Sequence, residues 1–191
     1  FHNKKVIQAF GELVSMAWSA DNSSLVYIKG QNVYVYNVQY KWHKMVTLPQ
    51  FTDGYVTHIQ WTNSDDKFVV MYLNRLQTEL SVAVVDINTL IAKRIYNYKE
   101  DKYISPENAS YILMFPDANE FGVLEEKDGF NHLHVYSLNN GRYIYQVGKG
   151  SYDVTKVYGY NPKTKQIFYQ SNGNGPLNRG IYAINIKSGK R

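Results

Sequence analysis

The segment "FGVLEEKDGFNHLHVYSLNNG", residues 121–141, decides the fold. Apolar and polar residues alternate on both sides of Asp128-Gly129, and a period of two indicates strands with one buried face. Asp-Gly is a strong signal for a two-residue β-hairpin turn. The segment therefore predicts two antiparallel strands joined by a tight turn, with a second turn at Asn139-Asn140-Gly141.

This pattern recurs along the chain. In four places a strand ends at an aromatic residue before a polar turn: Trp18, Trp61, Phe115 and Tyr160, which lie 43, 54 and 45 residues apart. A further alternating strand follows each one, and three of the units add a last short strand, "HKMVTL", "AKRIYNY" and "YIYQV". About four short antiparallel strands at this period are typical of a β-propeller blade.

The sequence thus predicts an all-β protein, a partial β-propeller of about four blades of four-stranded antiparallel sheet. The whole chain, 1–191, forms a single propeller segment, with blades at roughly 1–50, 51–104, 105–150 and 151–191. Helical signal is almost absent, and only "SPENASYIL" (105–113) is compatible with a brief helical turn. Closed propellers usually have more than four blades, so we expect an open arc whose terminal blades expose apolar faces and favour pairing between copies.

Composition excludes several classes of protein. With 44% hydrophobic and 19% charged residues the chain is not disordered. It has no cysteine, so disulfide frameworks and cysteine zinc sites are excluded. The net charge of +5 comes from scattered Lys and Arg, which favours a solvated surface over a nucleic-acid interface. No apolar run approaches the roughly 18 residues of a membrane helix. The two chain ends suggest a piece of a longer polypeptide, so a targeting segment is not expected here.

The hairpin segment also carries the most chemical-looking side chains. Adjacent strand residues point to opposite faces, so Glu125 and Glu126 are not expected to share a site, and Asp128 belongs to the turn. His132 and His134 share a face that suits two metal ligands, but no third ligand has a familiar spacing. We expect His132 to bond a turn backbone and His134 to pack or to face solvent.

Other catalytic signatures are missing. The glycine-rich stretches 148–151 and 171–180 do not match a P-loop and do not lead into a helix, and the chain has no G-x-S-x-G nucleophile elbow. The residues alone therefore predict a propeller segment with no catalytic set, no metal site and no cofactor.

Three stretches in order resemble the propeller domain of the dipeptidyl peptidase IV family of serine exopeptidases. They are "W…LNRLQ…L…D", "EEKDGFNHLHVY" with its following Gly turn, and "IFYQS…RGIYAINI", and together they cover residues 55–186. The family-motif residues, expected to be structural, are Asn74, Arg75, Gln77, Glu126, Asp128, Gly129, His132 and Arg179.

The resemblance implies a parent enzyme in which an α/β-hydrolase domain, absent from this chain, follows the propeller in cis. That domain would carry the Ser-Asp-His triad that releases N-terminal dipeptides, while the propeller gates access and a glutamate pair binds the substrate's ammonium group. Glu125 and Glu126 are not that pair, since Glu126 matches the Glu of the family's S-E-x-D-G and Glu125 replaces its Ser. The connection over 37–55 is short for the family.

The resemblance also implies peptide substrates reached through the parent, a homodimer, and a periplasmic, cell-envelope or secreted location in a bacterium. The chain alone is expected to be inactive. One alternative remains a non-enzymatic propeller of the WD-repeat or TolB-like kind that binds proteins. Another is a metal or glycan binder that uses His132 and His134.

Overall fold

The computed structural model describes residues 13–48 and 53–186, which form antiparallel strands and one short helix. The elements are β1 (Ser15–Trp18), β2 (Ser24–Lys29), β3 (Asn32–Asn37), β4 (Trp42–Met45), β5 (Gly54–Trp61), β6 (Lys67–Asn74), β7 (Glu79–Asp86), β8 (Ile91–Lys99), α1 (Pro106–Ala109), β9 (Leu113–Phe115), β10 (Glu120–Lys127), β11 (Phe130–Ser137), β12 (Tyr143–Val147), β13 (Val154–Asn161), β14 (Gln166–Ser171) and β15 (Gly180–Asn185).

Consecutive strands form four separate sheets, each in simple sequence order. Sheet 1 contains β1–β4, sheet 2 contains β5–β8, sheet 3 contains β9–β12, and sheet 4 contains β13–β15. All strand pairs within the sheets are antiparallel. The prediction of an all-β partial propeller is confirmed. The three units with a predicted last strand are the three sheets that have four strands.

The single turn of helix falls where the sequence allowed one. Ser105 caps α1 by accepting a hydrogen bond from the backbone N–H of Glu107, and Pro106 occupies the first turn, where its missing N–H has no cost. Across residues 13–48 and 53–186, no helix has the length and apolar character required to cross a membrane.

Apolar side chains fill the spaces between neighbouring sheets. Strand β6 shows the principle, because its side chains alternate between two cores. Phe68 and Val70 pack towards sheet 1, whereas Val69 and Met71 pack towards sheet 3. All four are fully buried. A third core lies between sheets 3 and 4. Each sheet is therefore stabilised mainly by stacking on its neighbours in the sequence.

The outer faces of the terminal sheets expose apolar side chains, as expected for an arc. Met16 and Trp18 on sheet 1 are 61% and 45% exposed. On sheet 4, Tyr158, Phe168 and Ile181 are 47%, 38% and 70% exposed. Pairing between copies through such faces stays a prediction.

The segment after β4 joins sheet 1 to sheet 2. The backbone N–H of Val46 donates to the Val33 carbonyl at 2.8 Å, and that of Thr47 donates to the Leu90 carbonyl at 2.9 Å. Thr47 also forms a parallel bridge with Ile91 at the edge of sheet 2. The connection over 37–55 therefore contains β4 and this bridge, while residues 49–52 lie outside the described part.

A second close contact joins sheets 2 and 3. Gly141, in the turn between β11 and β12, has a φ of +69°. A Cβ added there would lie 1.5 Å from the backbone oxygen of Ile95 in β8. Ile95 falls where the register between β7 and β8 shifts, so its carbonyl is available to meet the turn. Glycine is therefore required at position 141 for two reasons, the backbone conformation and the close approach.

Candidate functional site

The hairpin of residues 120–137 is the framework of the candidate site. Lys127 pairs with Phe130 at the end of β10 and β11, so Asp128 and Gly129 form a two-residue turn. Their φ values are +56° and +80°, as a type I′ turn requires. The predicted hairpin is confirmed, and Asp128 and Gly129 belong to its turn.

The two neighbouring glutamates point to opposite faces, as predicted. The Glu125 side chain is fully buried, whereas that of Glu126 is exposed. The only contact of Glu126 with sheet 2 found in the described residues runs through its backbone carbonyl, which accepts a hydrogen bond from the Tyr98 hydroxyl at 3.0 Å. The two carboxylates therefore do not form a pair.

Glu125 is the centre of a buried polar cluster. The Tyr96 hydroxyl, on β8 of sheet 2, donates to Glu125 Oε1 at 2.6 Å. Lys127 Nζ lies 2.5 Å from Glu125 Oε2 and donates to the Tyr136 hydroxyl oxygen at 2.8 Å. Oε2 is paired with the ammonium group by charge rather than by an aligned hydrogen bond. We call Tyr96, Glu125, Lys127 and Tyr136 the Glu125 cluster.

The Glu125 cluster compensates a charge that is costly to bury alone. An unpaired carboxylate in a protein interior costs several kcal/mol, and a cation with hydrogen-bond donors offsets much of this cost. Burial, with the Glu125 charge, raises the pKa of Tyr96 and of Tyr136 well above the usual 10. Both phenols therefore remain protonated and keep an O–H to donate. The bond from Tyr96 also ties sheet 2 to sheet 3.

The two histidines of the hairpin have different environments. His132 is buried, bonds the Phe130 backbone as predicted, and places its ring 5.0 Å from that of Tyr152. His134 is 2% exposed and packs rather than facing solvent. Neither of its ring nitrogens has a hydrogen-bond partner among the described residues. Burial, partly offset by Glu125, lowers the pKa of His134 to about 4.

The described residues do not gather a metal site around these histidines. Residues 13–48 and 53–186 contain no group of three or more His, Cys, Asp or Glu side chains placed to hold an ion. The neutral His134 instead lines an open depression of about 430 Å³ together with Lys127, Asp128, Tyr143 and Gln146. This depression is the one place in the hairpin region where several polar side chains converge.

A larger groove of about 690 Å³ runs between sheets 2 and 3, beside the turns near Asn63 and Asn119. Its amides already serve the local turns. Asn63 Nδ2 donates to the Phe115 carbonyl at 2.7 Å, and Asn119 Nδ2 donates to Asn139 Oδ1 at 2.6 Å. The groove thus offers few uncommitted polar groups for a ligand.

The first family-motif residues lie in the loop that joins β6 to β7. Asn74 Oδ1 accepts hydrogen bonds from the backbone N–H groups of Thr78 and Glu79 at 2.8 and 2.9 Å. Gln77 has a φ of +57°, and its Nε2 donates to the Tyr55 hydroxyl at 2.9 Å. These bonds fix the shape of the loop.

Two further motif residues are arginines near the surface. Arg75 forms an ion pair with Asp53 at 3.1 Å, in which both side chains are largely exposed. Arg179 Nη1 donates to the carbonyls of Pro176 and Asn178 at 3.0 and 2.9 Å. The structure therefore places the motif residues in separate turns and does not bring them together into one site.

Sequence reasoning missed the partners of Glu125. It compared Glu126 with Asp128, but it did not ask which residue shares a face with Glu125. The period of two gives Lys127, two positions along the same strand, so this ion pair had a local signal. The Tyr96 contact had none, because it depends on how sheets 2 and 3 pack.

We expect His134 to make the protein less stable in acid. The unfolded chain binds a proton at this side chain near pH 6.5, whereas the folded protein does so only near pH 4. The unfolded state therefore binds more protons between these values, and stability falls as the pH is lowered from 6.5 to 4. The loss from this group is at most about 3 kcal/mol.

Urea unfolding at several pH values measures this effect. His134→Phe should flatten the dependence between pH 6.5 and 4, leaving the contribution of other groups. His43→Phe changes an exposed histidine and should leave the dependence as it is. An unchanged slope in His134→Phe would contradict the role given to His134.

Comparisons with known proteins agree on one family. The sequence profile described as "Dipeptidyl peptidase IV (DPP IV) N-terminal region" matches residues 32–191. The structure of Porphyromonas gingivalis dipeptidyl peptidase 4 superposes with a TM-score of 0.80 and 29% identity, over 92% of this chain and 29% of that one.

Curated relatives point the same way. "Dipeptidyl peptidase family member 1" of Caenorhabditis elegans is 24% identical over 72% of this chain. "Inactive dipeptidyl peptidase 10" of Rattus norvegicus is 24% identical over 81% of it. The chain spans only 18% and 21% of the lengths of these two relatives. With most of its length matched by the family profile and its fold shared with a member, the chain belongs to the dipeptidyl peptidase IV N-terminal region family.

Proposed function

We propose that this chain is the propeller part of a dipeptidyl peptidase IV-like serine exopeptidase that releases N-terminal dipeptides. In this proposal the propeller gates substrate access and contacts an α/β-hydrolase domain in cis, which holds the catalytic triad. The observation that carries it is the match of residues 32–191 to the family, supported by 29% identity with the Porphyromonas gingivalis enzyme.

The side chains of the hairpin support a structural and gating role over a catalytic one. Glu125 is buried and committed to Lys127 and Tyr96, so it is not free to bind the ammonium group of a substrate. Glu126 has no carboxylate neighbour on its face of the strand. The glutamate pair that the family uses for this purpose therefore belongs, in our proposal, to another part of the parent protein.

The motif residues fit the same role. Asn74, Gln77, Asp128 and Gly129 shape turns, and His132 bonds the backbone beside one of them. We infer that their contribution is to fix the ends of the blades, so that the walls of a cavity keep their shape. None of these residues is assigned a step in peptide cleavage.

An activity assay tests the proposal. We expect the full-length parent to hydrolyse Gly-Pro and Ala-Pro chromogenic substrates and to react with a serine-directed fluorophosphonate probe. The isolated chain should do neither. Turnover by the isolated chain would contradict the assignment of catalysis to another domain, and a parent that neither cleaves nor reacts would contradict the peptidase proposal.

A second candidate is a non-enzymatic propeller that binds other proteins. The observation in its favour is the similarity to a rat relative whose name describes it as inactive. The same assay separates the two, because only the peptidase reacts with the probe. For the peptidase we further propose a periplasmic, cell-envelope or secreted location in a bacterium and assembly as a homodimer.

A further inference from the structure

We propose that the open depression lined by Lys127, Asp128, His134, Tyr143 and Gln146 binds a neutral sugar residue. The depression lies beside the Glu125 cluster, at the end of the β10–β11 hairpin. Its volume of about 430 Å³ is within the roughly 300–1,000 Å³ of small-molecule sites.

The first argument concerns His134. Its side chain is 98% buried by the measure of its 2% exposure, it lines the depression, and both ring nitrogens lack a partner in the described residues. Leaving buried polar atoms unpaired costs about 1–3 kcal/mol each. A neutral imidazole offers one donor and one acceptor, which is the complement of a hydroxyl group. A ligand with adjacent hydroxyls would satisfy both nitrogens.

The second argument concerns charge. The positive charge of Lys127 is already balanced by Glu125, 2.5 Å away. Asp128 adds a carboxylate to the lining, so an anionic ligand would meet repulsion. A cationic ligand would lie against the ammonium group of Lys127. The lining therefore favours a ligand that is uncharged and polar.

The third argument concerns shape and rigidity. Tyr143 is 48% exposed and offers an apolar ring surface, on which the C–H groups of a sugar can pack. The Gln146 amide supplies a further donor and acceptor. The Tyr143 ring is held by the ring of Tyr136 at 5.6 Å and by that of His134 at 6.1 Å. The walls are thus ordered before a ligand arrives, which lowers the entropic cost of binding.

Saturation-transfer NMR on the full chain tests the proposal. The probes are the methyl glycosides of glucose, galactose, mannose and N-acetylglucosamine, with sodium acetate and methylammonium chloride as charged comparators. We expect at least one glycoside to bind, with a Kd in the millimolar range typical of a shallow site. The two charged comparators should not bind.

Variants locate the binding. Gln146→Ala and His134→Phe should each weaken it at least fivefold, while Tyr158→Leu, on the exposed face of sheet 4, should not change it. Gln146 is on the outermost strand of sheet 3 and half-buried, so its variant is expected to fold normally. Absence of transfer to all four glycosides, glycoside binding that survives both variants, or acetate or methylammonium binding that Gln146→Ala removes would overturn the proposal.

Discussion

Gly141→Ala is expected to lower the free energy of unfolding by at least about 3 kcal/mol. An alanine at a φ of +69° costs about 1 kcal/mol because its Cβ crowds the following carbonyl. The new methyl group would also lie 1.5 Å from the Ile95 oxygen. That atom belongs to the backbone of β8, so relief requires the turn of sheet 3 to move away from sheet 2. Overpacking of this kind adds about 1–3 kcal/mol.

Gly129→Ala is the matched control for this experiment. Gly129 has a φ of +80° in the other turn of the same sheet, but no atom lies within 4 Å of its added Cβ. This variant should therefore lose only the conformational part, about 1 kcal/mol. Urea unfolding of both variants gives the difference. Equal losses would show that the contact between Gly141 and Ile95 does not constrain the two sheets.

Lys127→Met is expected to cost about 3 kcal/mol of stability. The variant retains most of the side-chain length but removes the ammonium group 2.5 Å from Glu125 Oε2. Glu125 would then be a fully buried carboxylate whose remaining hydrogen-bond donor in the described contacts is Tyr96. Removal of one partner from a buried ion pair typically costs about 3–5 kcal/mol. The lower end is expected because the Lys127 side chain is 39% exposed.

A second substitution should rescue this variant. Glu125→Gln combined with Lys127→Met removes the uncompensated charge and keeps an oxygen to accept the bond from Tyr96, so most of the stability should return. Lys163→Met, at an exposed lysine in a turn, is the control and should change stability by less than about 0.5 kcal/mol. A double variant no more stable than Lys127→Met alone would show that the lost stability does not come from the Glu125 charge.

Features with a local cause were predicted well. The Asp128-Gly129 turn, the two strands beside it and the opposite directions of Glu125 and Glu126 all follow from the period of two and from turn chemistry. The bond of His132 to a nearby backbone was also within reach, because it spans few residues. The environment of His134 was left open between packing and solvent, since it depends on side chains of β12 and of the neighbouring sheet.

The aromatic residues of the repeat show why the rest was not predictable. Trp18 and Trp61 occupy the same place in their units, and nothing in their local sequence separates them. Trp61 is 8% exposed and its Nε1 donates to the Ala17 carbonyl in sheet 1 at 2.9 Å. Trp18 is 45% exposed, on the outer face of the first sheet. Burial at this position is decided by whether another sheet stacks against it, which a single unit does not encode.

The order of the strands has a consequence for how such a protein gains or loses material. Because each sheet uses only consecutive strands and stacks mainly on its neighbours, its loop closures are short and its free energy is approximately a sum over units and their shared interfaces. Folding can then nucleate in any unit and spread outwards. A whole unit can be duplicated or deleted by recombination without repacking distant cores, so modularity of this kind leaves blade number free to vary during evolution.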